Sequence, residues 1–336
     1  MRKIIVIMAL VLWACGAPSQ VDSAKAQENQ AQRGGGEDAA SDAQATTSDA
    51  DPGHPLGVPL PEGVPTPEQA PDQWREVAPE NLLYMRTLHG ITLIEMAPEF
   101  APNHVQRMRE LASSGYFVGL PFHRVIKNFM AQAGDGNLVK RPPPTTPTMK
   151  GEFKFRRSPS QTMVVVGEDR SANTGFVKGF PVASQPDALA MMTVDGKVQA
   201  WALHCIGAAS MARTDDPNSA NAQFYITTGY PDWLNGKYTS WGRVRAGQNA
   251  VKEIKLGAPA YPPDMVDGLT LGSKVAPEKR ARVWVLRTDS SAFAKYLEQQ
   301  KDKDGKMPGV CKIPVPVYVQ WENAEQHSTQ KQESQG

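Results

Sequence analysis

The sequence predicts a mainly β fold, antiparallel and closed so as to leave no long free edge. Three observations carry this. Short apolar runs recur through the middle of the chain, bounded by Gly, Pro, Asn and Asp. Only two stretches there carry apolar residues at helical spacing. Turn signals are frequent, which suits strands that pair all the way round a barrel.

The elements follow in order. Residues 82–88 and 91–96 flank His89-Gly90 and read as a hairpin. Pro98 ends it, and Pro102 suits the first turn of a helix. In that helix Val105, Met108, Leu111 and Ala112 fall on one face, and Gly115 closes it. Strands are expected near 122–125, 130–133, 208–211, 223–227 and 241–244. A second helix is expected over about 248–255 with Val251 and Ile254 inward, then a last strand over 282–287.

The chain has 336 residues, 28 of them proline. Arg2 and Lys3 form a charged start, and residues 4–13 an apolar run too short to span a bilayer. The segment Leu12-Trp13-Ala14-Cys15-Gly16 resembles a bacterial lipobox, although Trp13 is bulkier than the residue usual there. That resemblance implies a signal over residues 1–15 and acylation of Cys15. Because Gly16 is not aspartate, it also implies a lipid anchor in the outer membrane of the cell envelope, facing the periplasm. The other reading is an ordinary secretory signal and a soluble periplasmic protein.

Residues 16–75 are expected to be a disordered tether. Over 16–72 aromatics are absent, and ten acidic residues stand against two basic ones. So little apolar surface does not offset the entropy of ordering. The whole-chain charge of +1 conceals this split, since residues 73–336 carry +7. That mild balance, without an arginine-rich helix, zinc spacing or stacking motif, argues against a nucleic-acid partner.

The stretch Phe122-His123-Arg124-Val125-Ile126-Lys127-Asn128-Phe129-Met130-Ala131-Gln132 sets a guanidinium, large apolar side chains and an amide within one short run. Arg124, Met130 and Gln132 share parity and hence a strand face. Phe129 sits beside them where the run bends at Lys127-Asn128. This composition suits a site that grips an apolar ring and hydrogen-bonds the amide next to it, as a prolyl peptide requires. Downstream lie Ser210-Met211-Ala212-Arg213-Thr214-Asp215-Asp216-Pro217-Asn218-Ser219-Ala220-Asn221-Ala222-Gln223-Phe224-Tyr225-Ile226 and Trp233-Leu234-Asn235-Gly236-Lys237-Tyr238-Thr239-Ser240-Trp241-Gly242-Arg243-Val244. These three blocks, in this order, resemble the cyclophilins, the peptidyl-prolyl cis-trans isomerases, over roughly residues 80–288. The resemblance implies an eight-stranded barrel with a helix capping each end. It implies an isomerase that needs no metal or cofactor, acting as a monomer on proline-containing unfolded or extended polypeptides.

The resemblance also implies roles. Arg124 matches the catalytic arginine, which donates to the prolyl nitrogen as the bond twists and its lone pair localises. Gln132 and Gln223 match the residues that steady Arg124 and the substrate backbone. Phe129, Met130, Tyr225 and Leu234 match the proline pocket; without the motif they would read as plain barrel core. Ala212 and Arg213 match the rim, though Arg213 facing solvent is an alternative. Trp233 matches a groove tryptophan whose indole N–H bonds a substrate carbonyl. The chain departs from the family at three positions: Tyr225 for phenylalanine, Tyr238 for histidine and Arg213 for asparagine. At Tyr225 an unpaired buried hydroxyl would cost roughly 1–3 kcal/mol. His123 reads as a structural histidine with its hydrogen bonds satisfied.

Relative to the family, the chain carries an insert at about 137–200. It includes Pro142-Pro143-Pro144, a strand-like run over 163–166 and Asp195-Gly196 between apolar residues, a hairpin signal. The insert lies between the halves of the site in sequence, so it either borders the groove or is an added surface element. An extension over 289–336, partly disordered, is expected to hold a short helix at 292–297, and residues 313–321 either add an edge strand or dock on the barrel. Cys205 and Cys311 remain as a pair that permits a disulfide in an oxidising compartment, with two free thiols as the equal alternative.

Overall fold

The structure is a computed structural model that describes residues 59–135, 147–169 and 172–321. The expected signal with Cys15, the tether up to residue 58, Pro142-Pro143-Pro144 and the polar tail after residue 321 lie outside the described residues.

In chain order the strands are β1 (Trp74–Glu76), β2 (Leu82–Thr87), β3 (Gly90–Met96), β4 (Leu120–Ile126), β5 (Met130–Ala133), β6 (Phe155–Arg157), β7 (Val164–Asp169), β8 (Ala172–Val177), β9 (Phe180–Ser184), β10 (Val198–Ala202), β11 (Ala208–Met211), β12 (Phe224–Thr227), β13 (Ser240–Ala246), β14 (Met265–Val266), β15 (Gly268–Leu271), β16 (Ala281–Leu286) and β17 (Val317–Trp321). The α-helices are α1 (Pro102–Ser113), α2 (Gln248–Lys252) and α3 (Ser291–Gln299).

The barrel is antiparallel in the order β14-β4-β5-β12-β11-β13-β3-β2-β15. It has nine hydrogen-bonded strands where eight were expected, and the difference has a local cause. Only Asp267 separates β14 from β15, and its N–H donates to the Arg86 carbonyl at 2.8 Å. β14 pairs with β4 and β15 with β2, so one interrupted stave closes the ring. Inside, Leu83, Met85, Ile94, Met96, Phe122, Ala131, Ala133, Ala209, Met211, Phe224, Ile226 and Trp241 form the core. Helix α1 covers it with Val105, Met108, Leu111 and Ala112, the stripe read from spacing.

The N-terminus of α1 is held from the insert side. The Glu152 carboxylate accepts the N–H groups of Asn103 and His104 (3.2 and 3.0 Å) and the ring nitrogen Nδ1 of His104 (2.6 Å). These donors have no partner within the helix. Burial would raise the Glu152 pKa, but the bonds from His104 and Asn103 hold it below its ordinary value. Helix α2 is shorter than expected, ending at Lys252. The Lys255 N–H donates to the Asp264 carboxylate (2.8 Å) instead of continuing the helical ladder, while Ile254 still packs inward.

The insert is a five-stranded sheet in the order β6-β10-β9-β8-β7. Asp195-Gly196 turns the chain there, with Gly196 at φ 62°. The turn lies in the connection between the antiparallel neighbours β9 and β10, a wider loop than the tight hairpin expected, because a 3-10 helix (Asp187–Met192) stands where a strand was expected.

The strand expected at 282–287 forms as β16, in a separate sheet of order β1-β16-β17. The end of the expected tether takes part: the Trp74 indole N–H donates to the Pro65 carbonyl at 3.0 Å, and Trp74 pairs with Leu286. Residues 59–75, expected to be disordered, are therefore structured, because Trp74 buries its ring in a second core. That core joins Phe176 of the insert to Trp284, Phe293, Tyr296, Leu297, Val310 and Ile313 of the C-terminal segment.

A disulfide links Cys205 to Cys311 within this core, settling the pairing that sequence left open. It spans a sequence separation of 106. Constraining so long a loop in the unfolded chain is worth at most ~4.7 kcal/mol, and typical values are lower. Cys311→Ser is expected to lower unfolding free energy by about 2–4 kcal/mol in denaturant melts. Melts that coincide with and without reductant would mean that packing alone holds the extension.

Candidate functional site

Alternation on adjacent strands builds the site. Across β4, β5, β12 and β11, Arg124 lies opposite Gln132, Gln132 opposite Tyr225, and Tyr225 opposite Ser210. Residues directly opposite in an antiparallel pair share a face. Their neighbours Ala131, Ala133, Phe224, Ile226, Ala209 and Met211 fill the barrel interior, so this row faces outward. Phe129, Met130, Tyr225 and Leu234 are buried but belong to none of the described hydrophobic core clusters. They are a second apolar layer on the outer wall, not the plain core that spacing alone suggests.

Arg124 needs a correction of phase to join this row. Phe122 and Arg124 have the same parity, yet Phe122 enters the core. The register shifts between them, Phe122 opposing Ala133 and Arg124 opposing Gln132. His123 is the extra residue of a β-bulge, which re-aims the side chain that follows it. His123 is satisfied only in part: its imidazole has hydrogen bonds with the main chain of Gly134 and Pro121, while its buried Nδ1 has no partner among the described residues. Burial is the main cause that holds its pKa below the ordinary imidazole value.

The turn between β4 and β5 places Phe129. Asn128 takes a left-handed conformation (φ 56°), and the Thr228 N–H donates to the Phe129 carbonyl at 2.9 Å. Gly229 permits this approach, since a Cβ there would lie 1.8 Å from the Asn128 carbonyl oxygen. Phe129 then stands between the Arg124 guanidinium carbon, 5.5 Å from its ring centroid, and the Trp233 ring at 5.5 Å. The Trp233 Nε1 is buried and has no partner among the described residues. Gln132 donates to Gln223 Oε1 (3.0 Å), and Gln223 donates to Asp135 (2.7 Å).

The far side of the site is aromatic and cationic. Tyr225 meets Tyr238 edge to face at 6.1 Å, and the Arg213 guanidinium lies 4.2 Å over the Tyr238 ring. Arg213 also donates to the carbonyls of Thr214 (2.7 Å) and Lys237 (3.2 Å), so it is engaged with the protein rather than facing solvent alone. Two of the three departures from the family pattern thus stack on each other. The Ala212 N–H is used by the Gln223 carbonyl (2.9 Å). The insert reaches this end: Phe153 lies 5.7 Å from Arg213, and Lys154 lies 5.5 Å over Trp201, beside Gly236.

The hydroxyl of Tyr225 is paired, not orphaned. It lies 3.1 Å from Nε2 of His204, which Ser210 Oγ also approaches at 3.2 Å. Nδ1 of His204 donates to Asn235 Oδ1 at 3.1 Å. Burial drives His204 down to about 4, so it is neutral at pH 7 with Nε2 free to accept. Burial pushes the Tyr225 hydroxyl well above its usual value, so it remains a donor. His204 and Asn235 carried no signal in the sequence, where His204 reads only as the neighbour of Cys205.

A cavity of about 520 Å³ lies elsewhere, where the barrel meets the second core, lined in part by Arg75, Glu95, Glu99, Phe100, Lys178 and Phe180. Its charges pair with one another, Arg75 with Glu95 and Lys178 with Glu99.

Comparison with known proteins agrees with this architecture. A family model described as "Cyclophilin type peptidyl-prolyl cis-trans isomerase/CLD" matches residues 82–267. A "Probable peptidyl-prolyl cis-trans isomerase" of Brucella suis is 32% identical over 182 residues, 54% of this chain and 75% of that protein. The human "Peptidyl-prolyl cis-trans isomerase-like 1" is 29% identical over 187 residues, 55% of this chain and 84% of that protein. The crystal structure of the cyclophilin AquaCyp293 from Hirschia baltica shares 39% identity at a TM-score of 0.70, covering 75% of this chain and 95% of its own. That coverage is wider than the family match over residues 82–267. The family match spans more than half of the sequence, and with these relatives it makes the chain a member of the cyclophilin-type peptidyl-prolyl cis-trans isomerases.

Proposed function

We propose that this isomerase turns X-Pro bonds in unfolded or extended polypeptides of the cell envelope, with Arg124 weakening the resonance of the prolyl amide. The observation that carries the reading is the outward row Arg124–Gln132–Tyr225, with Phe129 set 5.5 Å from the guanidinium. The uncatalysed barrier is about 18–20 kcal/mol and comes from amide resonance. A guanidinium that donates to the prolyl nitrogen interacts more strongly in the twisted state than in the planar one, which lowers the barrier. Phe129, Met130, Tyr225 and Leu234 hold the prolyl ring. The Trp233 ring, Gln223 and the Ala212–Arg213 rim hold the peptide on either side. No bond breaks, so the mechanism calls for no nucleophile, metal or cofactor. The test is a prolyl-peptide isomerisation assay on the native chain and Arg124→Ala; equal rates would refute the role of the arginine.

We place the protein on the outer membrane, facing the periplasm, through acylated Cys15, as a monomer. The support is the sequence alone, Leu12-Trp13-Ala14-Cys15-Gly16 after a charged and apolar start. Cells grown in labelled palmitate should yield labelled protein, and Cys15→Ser should abolish the label. Equal labelling of both would rule out Cys15 as the acylated residue, and an unlabelled native chain would leave the soluble periplasmic form.

A second reading is a chaperone that binds proline segments without relying on turnover. Within the insert, Met191, Met192 and Val194 are strongly exposed, at 91%, 84% and 110%. They project from a braced turn, since Arg156 holds both the Asp195 carboxylate and the Lys197 carbonyl. Flexible methionines suit varied apolar partners. Aggregation suppression that survives Arg124→Ala and is lost when these three become serine would favour it.

A further inference from the structure

We propose that His204 is a positioning residue of the proline groove, fixing Tyr225 and the Leu234–Asn235 turn in one rigid frame. The proposal rests on the groove reading above. His204 is 1% exposed and lies between the end of the insert sheet and β11. Its single imidazole joins segments far apart in the chain. Nε2 faces the Tyr225 hydroxyl on β12 at 3.1 Å, and the two rings lie nearly parallel with centroids 6.1 Å apart. Nδ1 and the main-chain N–H of His204 both reach Asn235 Oδ1, at 3.1 and 2.8 Å. Asn235 directly follows Leu234, another residue of the proposed proline pocket.

Both ring nitrogens are committed, so one tautomer is selected: Nδ1–H donates to Asn235 and Nε2 accepts. A phenylalanine at 225 would offer no such bond. The tyrosine gives the wall an anchor behind the groove, while its edge-to-face contact with Tyr238 carries the same constraint to Arg213. A prolyl ring held against this wall makes the same contact before and during rotation of the preceding bond. Loss of the anchor therefore weakens binding of substrate and transition state alike, which raises KM and spares kcat.

The experiment measures kcat and KM of the full chain on a short prolyl peptide. His204→Ala should raise KM about five- to ten-fold, the loss of one to two hydrogen bonds, with kcat within about two-fold. His204→Gln, which keeps one donor and one acceptor, should restore most of the KM. In a Tyr225→Phe background, His204→Ala should add much less than it does in the wild type. An unchanged KM, or the same rise in both backgrounds, overturns the proposal, because a merely structural histidine would act without the hydroxyl. If His204→Ala does not fold, Tyr225→Phe alone decides: it removes one hydroxyl, and a KM equal to wild type overturns the proposal. A wild-type chain with no turnover overturns the groove reading and this one with it, whereas an active wild type with unmoved KM overturns only this one.

Discussion

Arg124→Ala is expected to lower kcat/KM for a prolyl peptide by about 10²–10³-fold, the usual effect of removing one donor aimed at charge that develops in the transition state. The fold should survive. Arg124 is half-buried on the outer wall, while Phe122 and Val125 keep β4 in the core without it. Arg124→Lys should recover only part of the rate, because an ammonium lacks the planar fork that stacks near Phe129 and donates at a fixed angle. The fall should appear in kcat, since the prolyl nitrogen accepts a strong bond only as it pyramidalises. A thermal melt that matches wild type, together with a protease-coupled or NMR exchange rate, separates chemistry from unfolding. A variant with wild-type kcat would place the barrier-lowering group elsewhere.

Glu95→Gln is expected to lower unfolding free energy by about 3–5 kcal/mol, the cost of leaving a buried charge without its partner. Glu95 sits on β3 and accepts from both guanidinium arms of Arg75 (2.6 and 2.9 Å) and from Arg245 Nε (2.7 Å). Arg245 is 1% exposed at its side chain, and burial brings it down to about 10. The same two arginines donate to the Lys178 and Gly179 carbonyls in the insert, so the triad pins the barrel to the turn between β8 and β9. Urea melts should show the loss, and Glu95→Gln with Arg245→Met should lose less than Glu95→Gln alone, because no buried cation is stranded. Burial would raise the Glu95 pKa, but Arg245 and Arg75 overcome it and hold it below the ordinary 4.5. Its stabilisation is thus complete above pH 4.5 and lost as pH falls through the lower folded value, a limb absent from Glu95→Gln. A wild-type stability in Glu95→Gln would show that the barrel and the insert sheet hold together by apolar packing.

Much of the barrel was legible because its signals are local. The hairpin around His89-Gly90, the α1 stripe of Val105, Met108 and Leu111, and the residue types of the three blocks all act within a few positions. The strand over 282–287 was legible too, but not its partners. Trp74 meets Leu286 only after more than two hundred intervening residues, so no periodicity marks the pairing. For the same reason residues 59–75 read as a continuation of the polar tether. The α2 boundary failed for a different cause: the Asp264 carboxylate competes for the Lys255 N–H from outside the helix.

By itself the sequence determined which chemical groups are present and which local elements carry them: a guanidinium, a set of apolar rings and two amides on short strands. Tertiary structure alone decided how they face. The bulge at His123 turns Arg124 outward while Phe122 of the same parity stays inside. The imidazole of His204 gives the hydroxyl of Tyr225 a partner, and the Cys205–Cys311 bond joins the extension to the segment between β10 and β11. Side-chain periodicity is set by each residue's near neighbours, whereas a bulge, a buried hydrogen bond and a disulfide depend on which distant segments meet.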